Sequence, residues 1–228
     1  MHLHGIGGDK SSSHEKIIEN IRKKLDKDIK LNVKAVKYLN TLNSNQEIML
    51  KDMGKIGKMK SRILFLGSFG DAISIYANTK LYLEVMEKVK LGLEYLQTNY
   101  PNRPTAVYTQ SLGCQIFSCY MWDNRNNYSD KEKNIKAWFS TGNNMRGFFS
   151  GVPKEEIRPF PKPSPSFKWF NFWNRGDVLG YPMENINREY DCLLTKDIKV
   201  WGLPIISHVN YNKKKKVYKK VAAIINDL

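Results

Sequence analysis

The feature that most constrains this chain is the order of its hydrophobic patterns, in which strand-like runs and helix-like periodicities take turns along its length. Ile17, Ile18, Ile21 and Leu25 recur at helical spacing behind the serines at 11–13, with Glu15 placed for a capping box. Residues 31–36 alternate with period two and predict a strand. Leu81, Val85, Val89, Leu93 and Leu96 form one helical stripe, closed by Tyr100-Pro101-Asn102-Arg103-Pro104. Ala106-Val107-Tyr108 predicts a short strand, and Ile116, Phe117, Tyr120 and Met121 a helix directly after Ser111-Leu112-Gly113. Strands follow at residues 135–140, 167–173 and 198–201, and a final helix at 217–225. Such alternation predicts an α/β fold with a mostly parallel central sheet flanked by helices, and 228 residues fit one domain spanning 1–228.

Composition narrows the class of function. Hydrophobic residues make up 41% and charged residues 26%, as in an ordinary globule. No run reaches the roughly 18 apolar residues of a membrane span, and the N-terminus lacks the apolar centre of a signal peptide, so the expected location is cytoplasmic. Cys114, Cys119 and Cys192 have no C-x-x-C spacing, which argues against a disulfide framework or a zinc cluster and for small buried hydrophobes. The net charge is +15. Lysine is spread along the whole chain, and the one block is Lys213-Lys214-Lys215-Lys216, so weak attraction to anionic membrane surfaces is expected rather than specific nucleic-acid binding.

In open α/β sheets, reactive groups gather where strands end. The residues that follow strand candidates are His4 with Gly5-Ile6-Gly7-Gly8, Ser111, Asp177 and His208. A serine becomes a nucleophile only beside a base, and the base needs an acid to orient it. Ser111 stands in Thr109-Gln110-Ser111-Leu112-Gly113, close to the G-x-S-x-G elbow but with threonine at the first position. That threonine is tolerable if it points away from the following helix. Ser68-Phe69-Gly70 competes, because Ile63-Leu64-Phe65-Leu66 precedes it. Of the four histidines, at 2, 4, 14 and 208, His208 alone lies downstream of both a serine and an acid candidate. Asp177 follows the aromatic strand and precedes His208 by 31 residues. Asp191 and Asp197 are alternatives, Asp197 being expected to cap or to face solvent. The glycine turn could cradle a phosphate, but a P-loop would need glycine where His4 and Asp9 stand. An oxyanion loop fits it better.

Taken together, His4-Gly5-Ile6-Gly7-Gly8, Thr109-Gln110-Ser111-Leu112-Gly113, Asp177-Val178-Leu179-Gly180-Tyr181-Pro182 and Ser207-His208 resemble the α/β-hydrolase superfamily of lipases and esterases. Gly70-Asp71-Ala72 with Tyr76, ahead of a long helix, is similar to a feature of its lipase-like branches, which removes Ser68 from the elbow. The resemblance implies the α/β-hydrolase fold with N-terminal strands shortened or missing. It also implies a serine hydrolase acting on a small-molecule or lipid ester, with Ser111 as nucleophile, His208 as base and Asp177 as its orienting acid. The N–H groups of Leu112 and Ile6 would receive the oxyanion. No metal or organic cofactor is implied. The segment 143–166, rich in proline and carrying Met145, Phe148, Phe149 and Phe160, is expected to wall the acyl pocket through Phe148 and Phe149 as a partial lid, or else to pack on the sheet edge. Two rivals remain at this level: a hydrolase-like protein without catalysis, and a basic surface-binding module.

Overall fold

The computed structural model describes residues 1–4, 12–38, 77–201, 208 and 210–228. In chain order its elements are β1 (His2–Leu3), α1 (Ser12–Arg22), β2 (Ala35–Val36), α2 (Thr79–Asn99), β3 (Thr105–Gln110), α3 (Leu112–Asp123), α4 (Asp130–Lys133), β4 (Ile135–Thr141), α5 (Met145–Phe148), β5 (Lys168–Trp173), α6 (Arg188–Leu193), β6 (Leu194–Lys199) and α7 (Lys215–Asn226). Among the described residues, six strands form one open sheet in the order β2-β1-β3-β4-β5-β6. Every pairing is parallel. The α/β class read from the alternating patterns is therefore the observed one.

Parallel strands are covered on both faces, and successive side chains of a strand point to opposite sides. Val107, Trp138 and Trp169 enter one core, against Val85, Val89 and Leu93 of α2 and Ile116, Phe117 and Tyr120 of α3. Tyr108, Phe139 and Phe170 enter the other, against Ile17 and Ile21 of α1 and Val217 and Val221 of α7. The α2 stripe seen in the sequence is thus the helix's buried face, and Asn78 caps it by accepting from the Leu81 N–H at 3.1 Å. Helix α3 is buried all round through its first turns, as expected of a helix wedged between a sheet and α2.

Several elements differ from the sequence reading. Only Ala35–Val36 of the alternating stretch 31–36 pairs as a strand. The last strand is Leu194–Lys199 rather than 198–201, an edge strand whose polar residues hid it from a search for apolar runs. Short helices α4 and α6, too brief for a periodic signal, lie in stretches to which the sequence patterns assign no element. Within 143–166, α5 is followed by a single 3-10 turn, Phe149–Gly151. Cys114 is buried as expected, whereas Cys192 is exposed. Among the described residues, no helix is long and apolar enough to cross a membrane.

One layer below the strand ends, a row of polar side chains runs across four strands. Register pairs Thr109 with Ser140, Ser140 with Asn171, and Asn171 with Asp197, so all four share a face. All are buried, and each finds a partner. Trp138 Nε1–H donates to Thr109 Oγ1 and Trp169 Nε1–H to Ser140 Oγ, both at 2.8 Å. The Ser140 hydroxyl donates to Asn171 Oδ1 at 2.8 Å, and Asn171 Nδ2–H donates to Asp197 Oδ1 at 2.6 Å. The two indoles stack at 4.4 Å between centroids. Asp197, expected to cap or to face solvent, instead ends the row. Its Oδ2 accepts the N–H groups of Met183 and Glu184, each at 2.7 Å. Burial pushes its carboxyl up, against the pull of those donors.

Asp197→Ala removes three hydrogen bonds and strands two backbone donors and one amide. Leaving such groups unpaired costs about 2–3 kcal/mol, expected as a fall in Tm of about 5–10 °C for a domain of this size, measured by thermal denaturation of the two proteins.

Candidate active site

Ser111 sits at the junction of β3 and α3 with φ 52° and ψ −125°, in a region that a serine rarely occupies. Strain of this kind costs on the order of 1–3 kcal/mol and persists where the surroundings enforce it. Here the Ser111 N–H donates to the Thr141 carbonyl at 3.0 Å, pinning the turn to the end of β4, while its own carbonyl accepts from Cys114 N–H at 2.8 Å. Helix α3 leaves this turn pressed against β1. A Cβ on Gly113 would stand 2.8 Å from the Leu3 carbonyl oxygen and 2.9 Å from that of His4, which explains the glycine two residues after the serine.

Thr109 does not point away from α3. Its hydroxyl donates to Cys114 Sγ at 3.2 Å while accepting from Trp138. The helix tolerates the threonine because the residue facing it is a small cysteine and because the buried hydroxyl has partners on both sides. Burial pushes the Cys114 thiol up to about 12, so it stays protonated and inert.

The structure brings Ser111, His208 and Asp177 together. His208 Nε2 lies 2.8 Å from Ser111 Oγ. Its Nδ1 lies 3.0 Å from each oxygen of Asp177. A carboxylate only accepts, so Nδ1 carries the proton and Nε2 offers its lone pair to the serine hydroxyl. All three residues are about 95% buried. The Asp177 carboxylate also accepts the Leu179 N–H and the Tyr211 hydroxyl, each at 2.9 Å. Burial pushes its carboxyl up, but the hydrogen bond and charge of His208, with the Leu179 and Tyr211 donors, outweigh it and hold it below the ordinary value. Burial and the neighbouring Asp177 charge push the Tyr211 hydroxyl up, so Tyr211 remains a donor.

The sequence reading missed the residues that hold this arrangement. Gln110 Nε2–H donates to the His208 carbonyl at 3.2 Å, and its Oε1 accepts from Asn212 at 3.1 Å. Asn212 is held in turn by the Tyr108 hydroxyl at 2.8 Å. Nothing in the local sequence marks Gln110, Tyr211 or Asn212, because their partners are about a hundred residues away or across a loop. The 174–184 segment is tied down by Tyr181 N–H on the Asn143 carbonyl, by Asn171 on the Tyr181 carbonyl, and by Arg146 on the carbonyls of Pro182 and Glu184.

Of the expected oxyanion donors, Leu112 is the first residue of α3, where an N–H has no intrahelical acceptor. Ile6 lies outside the described residues, as do Ser68, Asp71 and Tyr76. His4 is buried and stacked on Tyr38 at 4.9 Å, with the Tyr38 hydroxyl donating to its carbonyl. Phe148 and Phe149 are partly buried against the core. They also line a cavity of about 330 Å³ beside α3, together with Gln115 and Tyr190. A larger cavity, about 440 Å³, lies against Met1, Thr105, α1 and α7, at the opposite end of β3 from Ser111. No group of three or more His, Cys, Asp or Glu residues with metal-holding geometry occurs among the described residues. Comparison of the sequence with protein-family models and with curated proteins gives no match, so the geometry carries the functional reading.

Two tests follow from this geometry. A Cβ at Gly180 would stand 2.3 Å from Asp177 Oδ2 and 2.9 Å from Gly142 Cα, so neither side can yield without moving the acid. Gly180→Ala is expected to displace Asp177 and lower fluorophosphonate labelling of Ser111 by tenfold or more, read by single-turnover kinetics. Because the Asp177 carboxyl is depressed in the folded state, its contribution to stability is complete above its unfolded value, about 3.9. It disappears as pH falls through the lower folded value. The part of the stability gap between wild type and Asp177→Asn that comes from the ionised carboxylate should therefore shrink as pH falls below about 4, as measured by urea denaturation from pH 5 downward.

Proposed function

We propose that this protein is a serine hydrolase of the α/β-hydrolase superfamily, cleaving carboxylic esters through an acyl-enzyme. The observation that carries the reading is the buried chain from Ser111 Oγ through His208 to Asp177, set on a strained strand-to-helix turn. Its support comes also from the order Ser111, Asp177, His208 along an open parallel sheet.

In this reading the Ser111 hydroxyl attacks the ester carbonyl while His208 Nε2 takes its proton. The negative charge that develops on the carbonyl oxygen is received by the Leu112 N–H, with Ile6 as the second donor implied by the superfamily's pattern. Asp177 stabilises the imidazolium and fixes the tautomer without itself taking the proton. The tetrahedral intermediate then expels the alcohol, which leaves with the proton from His208. Water, deprotonated by the same imidazole, attacks the acyl-enzyme, and collapse releases the acid and restores Ser111. The substrate class is a small-molecule or lipid ester, and the +15 charge supports weak attraction to anionic surfaces without specific nucleic-acid binding. The described groups supply nucleophile, base and acid, so the mechanism calls on no metal or organic cofactor.

Fluorophosphonate labelling and p-nitrophenyl ester hydrolysis test this reading directly. Wild type and Ser68→Ala should be labelled and active, Ser111→Ala should take no label, and His208→Ala should lose about 10³-fold or more in kcat/KM. Labelling that survives Ser111→Ala would reject the nucleophile, and an unlabelled, inactive wild type would reject the enzyme.

A further inference from the structure

The Asp177 side chain has no exposed surface, so its charge depends on donors from the protein. His208 Nδ1–H stands 3.0 Å from both carboxylate oxygens, and one N–H shared between two oxygens pairs neither fully. Oδ1 gains a second donor from the Leu179 N–H of its own loop, at 2.9 Å. Oδ2 gains its second donor from the hydroxyl of Tyr211, 34 residues further along the chain, at 2.9 Å. Tyr211 opens the 3-10 turn Tyr211–Lys213 ahead of α7 and is buried in the same core as Val217 and Val221. Two glycines fit around this contact. Gly142 has φ 55°, and a Cβ there would stand 3.1 Å from Nδ1 and Cε1 of His208 and from Cε2 of Tyr211, so both rings rest against a bare Cα. A Cβ at Gly180 would crowd Oδ2 itself. A residue that only filled this core could be phenylalanine, which buries no hydroxyl.

We propose that Tyr211 is a positioning residue for the reaction, acting through Asp177: its hydroxyl fixes the plane of the carboxylate and takes a share of its charge, so that His208 is held as the unprotonated base that receives the Ser111 proton. The inference rests on the serine-hydrolase reading above and adds a residue that governs its base. The physical reason is a difference between two states. Before attack, the carboxylate faces a neutral imidazole and carries its full charge. Once the imidazole is protonated, the ion pair offsets much of that charge. A phenol donates more strongly to the first state than to the second. The hydroxyl therefore stabilises the proton-free His208–Asp177 pair. Removing it makes the pair take up a proton more readily, the two groups titrating as one unit. Among the described residues, Cys114 on α3 also lies close enough to act on Tyr211. Burial pushes its thiol up to about 12, so it stays neutral throughout. Arg175 and Lys213, the charged residues nearest to Asp177 and Tyr211 along the chain, are exposed.

The test reads the rate of fluorophosphonate labelling of Ser111 from about pH 5 to 9 in wild type, Tyr211→Phe and Tyr211→3-fluorotyrosine. Labelling needs the same proton transfer to His208 and no product release, so its acid-side inflection reports the pair. Tyr211→Phe keeps the ring in the core and should raise that inflection by about 0.5–1 unit, which lowers the ratio of acid-limb to plateau rates about 3- to 10-fold. Fluorination makes the phenol a stronger donor, so Tyr211→3-fluorotyrosine should move the inflection the other way. Val221→Ala, which removes core volume on α7 and leaves the phenol–carboxylate contact intact, should lower Tm with the inflection in place. A lower Tm with an unmoved inflection in Tyr211→Phe would make the hydroxyl structural and overturn the proposal, leaving the hydrolase reading standing. Shifts of the same sign in both Tyr211 variants would do the same. Should Tyr211→Phe fail to fold, the fluorotyrosine variant decides: a lowered inflection supports the proposal and an unmoved one overturns it. Absence of labelling in the wild type would reject the hydrolase reading and the proposal with it.

Discussion

The polar row Thr109–Ser140–Asn171–Asp197, in which Trp138 bonds Thr109 and direct hydrogen bonds run from Ser140 to Asp197, is the constraint on which the site depends. It joins four neighbouring strands at one level, so the chain segments that leave β3, β4 and β5 start from a common plane. Ser111 leaves the first, Gly142 the second and the Asp177 loop the third. The row also reaches out of the sheet, since Asp197 and Asn171 hold the backbone of residues 181–184. A purely apolar layer at this level would fill space equally well, but dispersion has no direction and would leave that loop's register open. Directional bonds in a low-dielectric interior fix it.

The same logic explains the two stacked tryptophans. Each indole contributes a large apolar body to the core and one N–H that must be paired when buried. Trp138 and Trp169 spend that donor on the hydroxyls of Thr109 and Ser140. Core packing and polar alignment are thereby one structure, and Thr109, which departs from the usual glycine of the elbow, is part of it. Its threonine is held from both sides rather than merely tolerated.

Around Ser111 the polar groups divide by whether they are satisfied. Asp177 accepts from His208, Leu179 and Tyr211, which keeps it charged while buried. His208 is anchored through its carbonyl by Gln110 and through its ring by Asp177. The Gln115 amide on α3, with Asn143 Nδ2 and Asn144 Oδ1 past the end of β4, is the contrasting case, buried with no hydrogen-bond partner among the described residues. The satisfied groups hold the geometry around Ser111.

The sequence by itself determined the α/β class, because periods of 2 and 3.6 are local and survive without tertiary context. It singled out Ser111, Asp177 and His208, because each stands just past a strand-like run and their order restricts the choice. It could not tell that Thr109 faces α3, that Asp197 is buried, or that Gln110, Tyr211 and Asn212 brace the histidine. Those facts depend on which strands lie side by side, and lateral neighbours in a parallel sheet are separated by a crossover of about 30 residues here. Polar residues destined for such a row look, in sequence, like any residues bound for solvent. Only the folded sheet, by removing water and bringing their partners into register, turned them into structure.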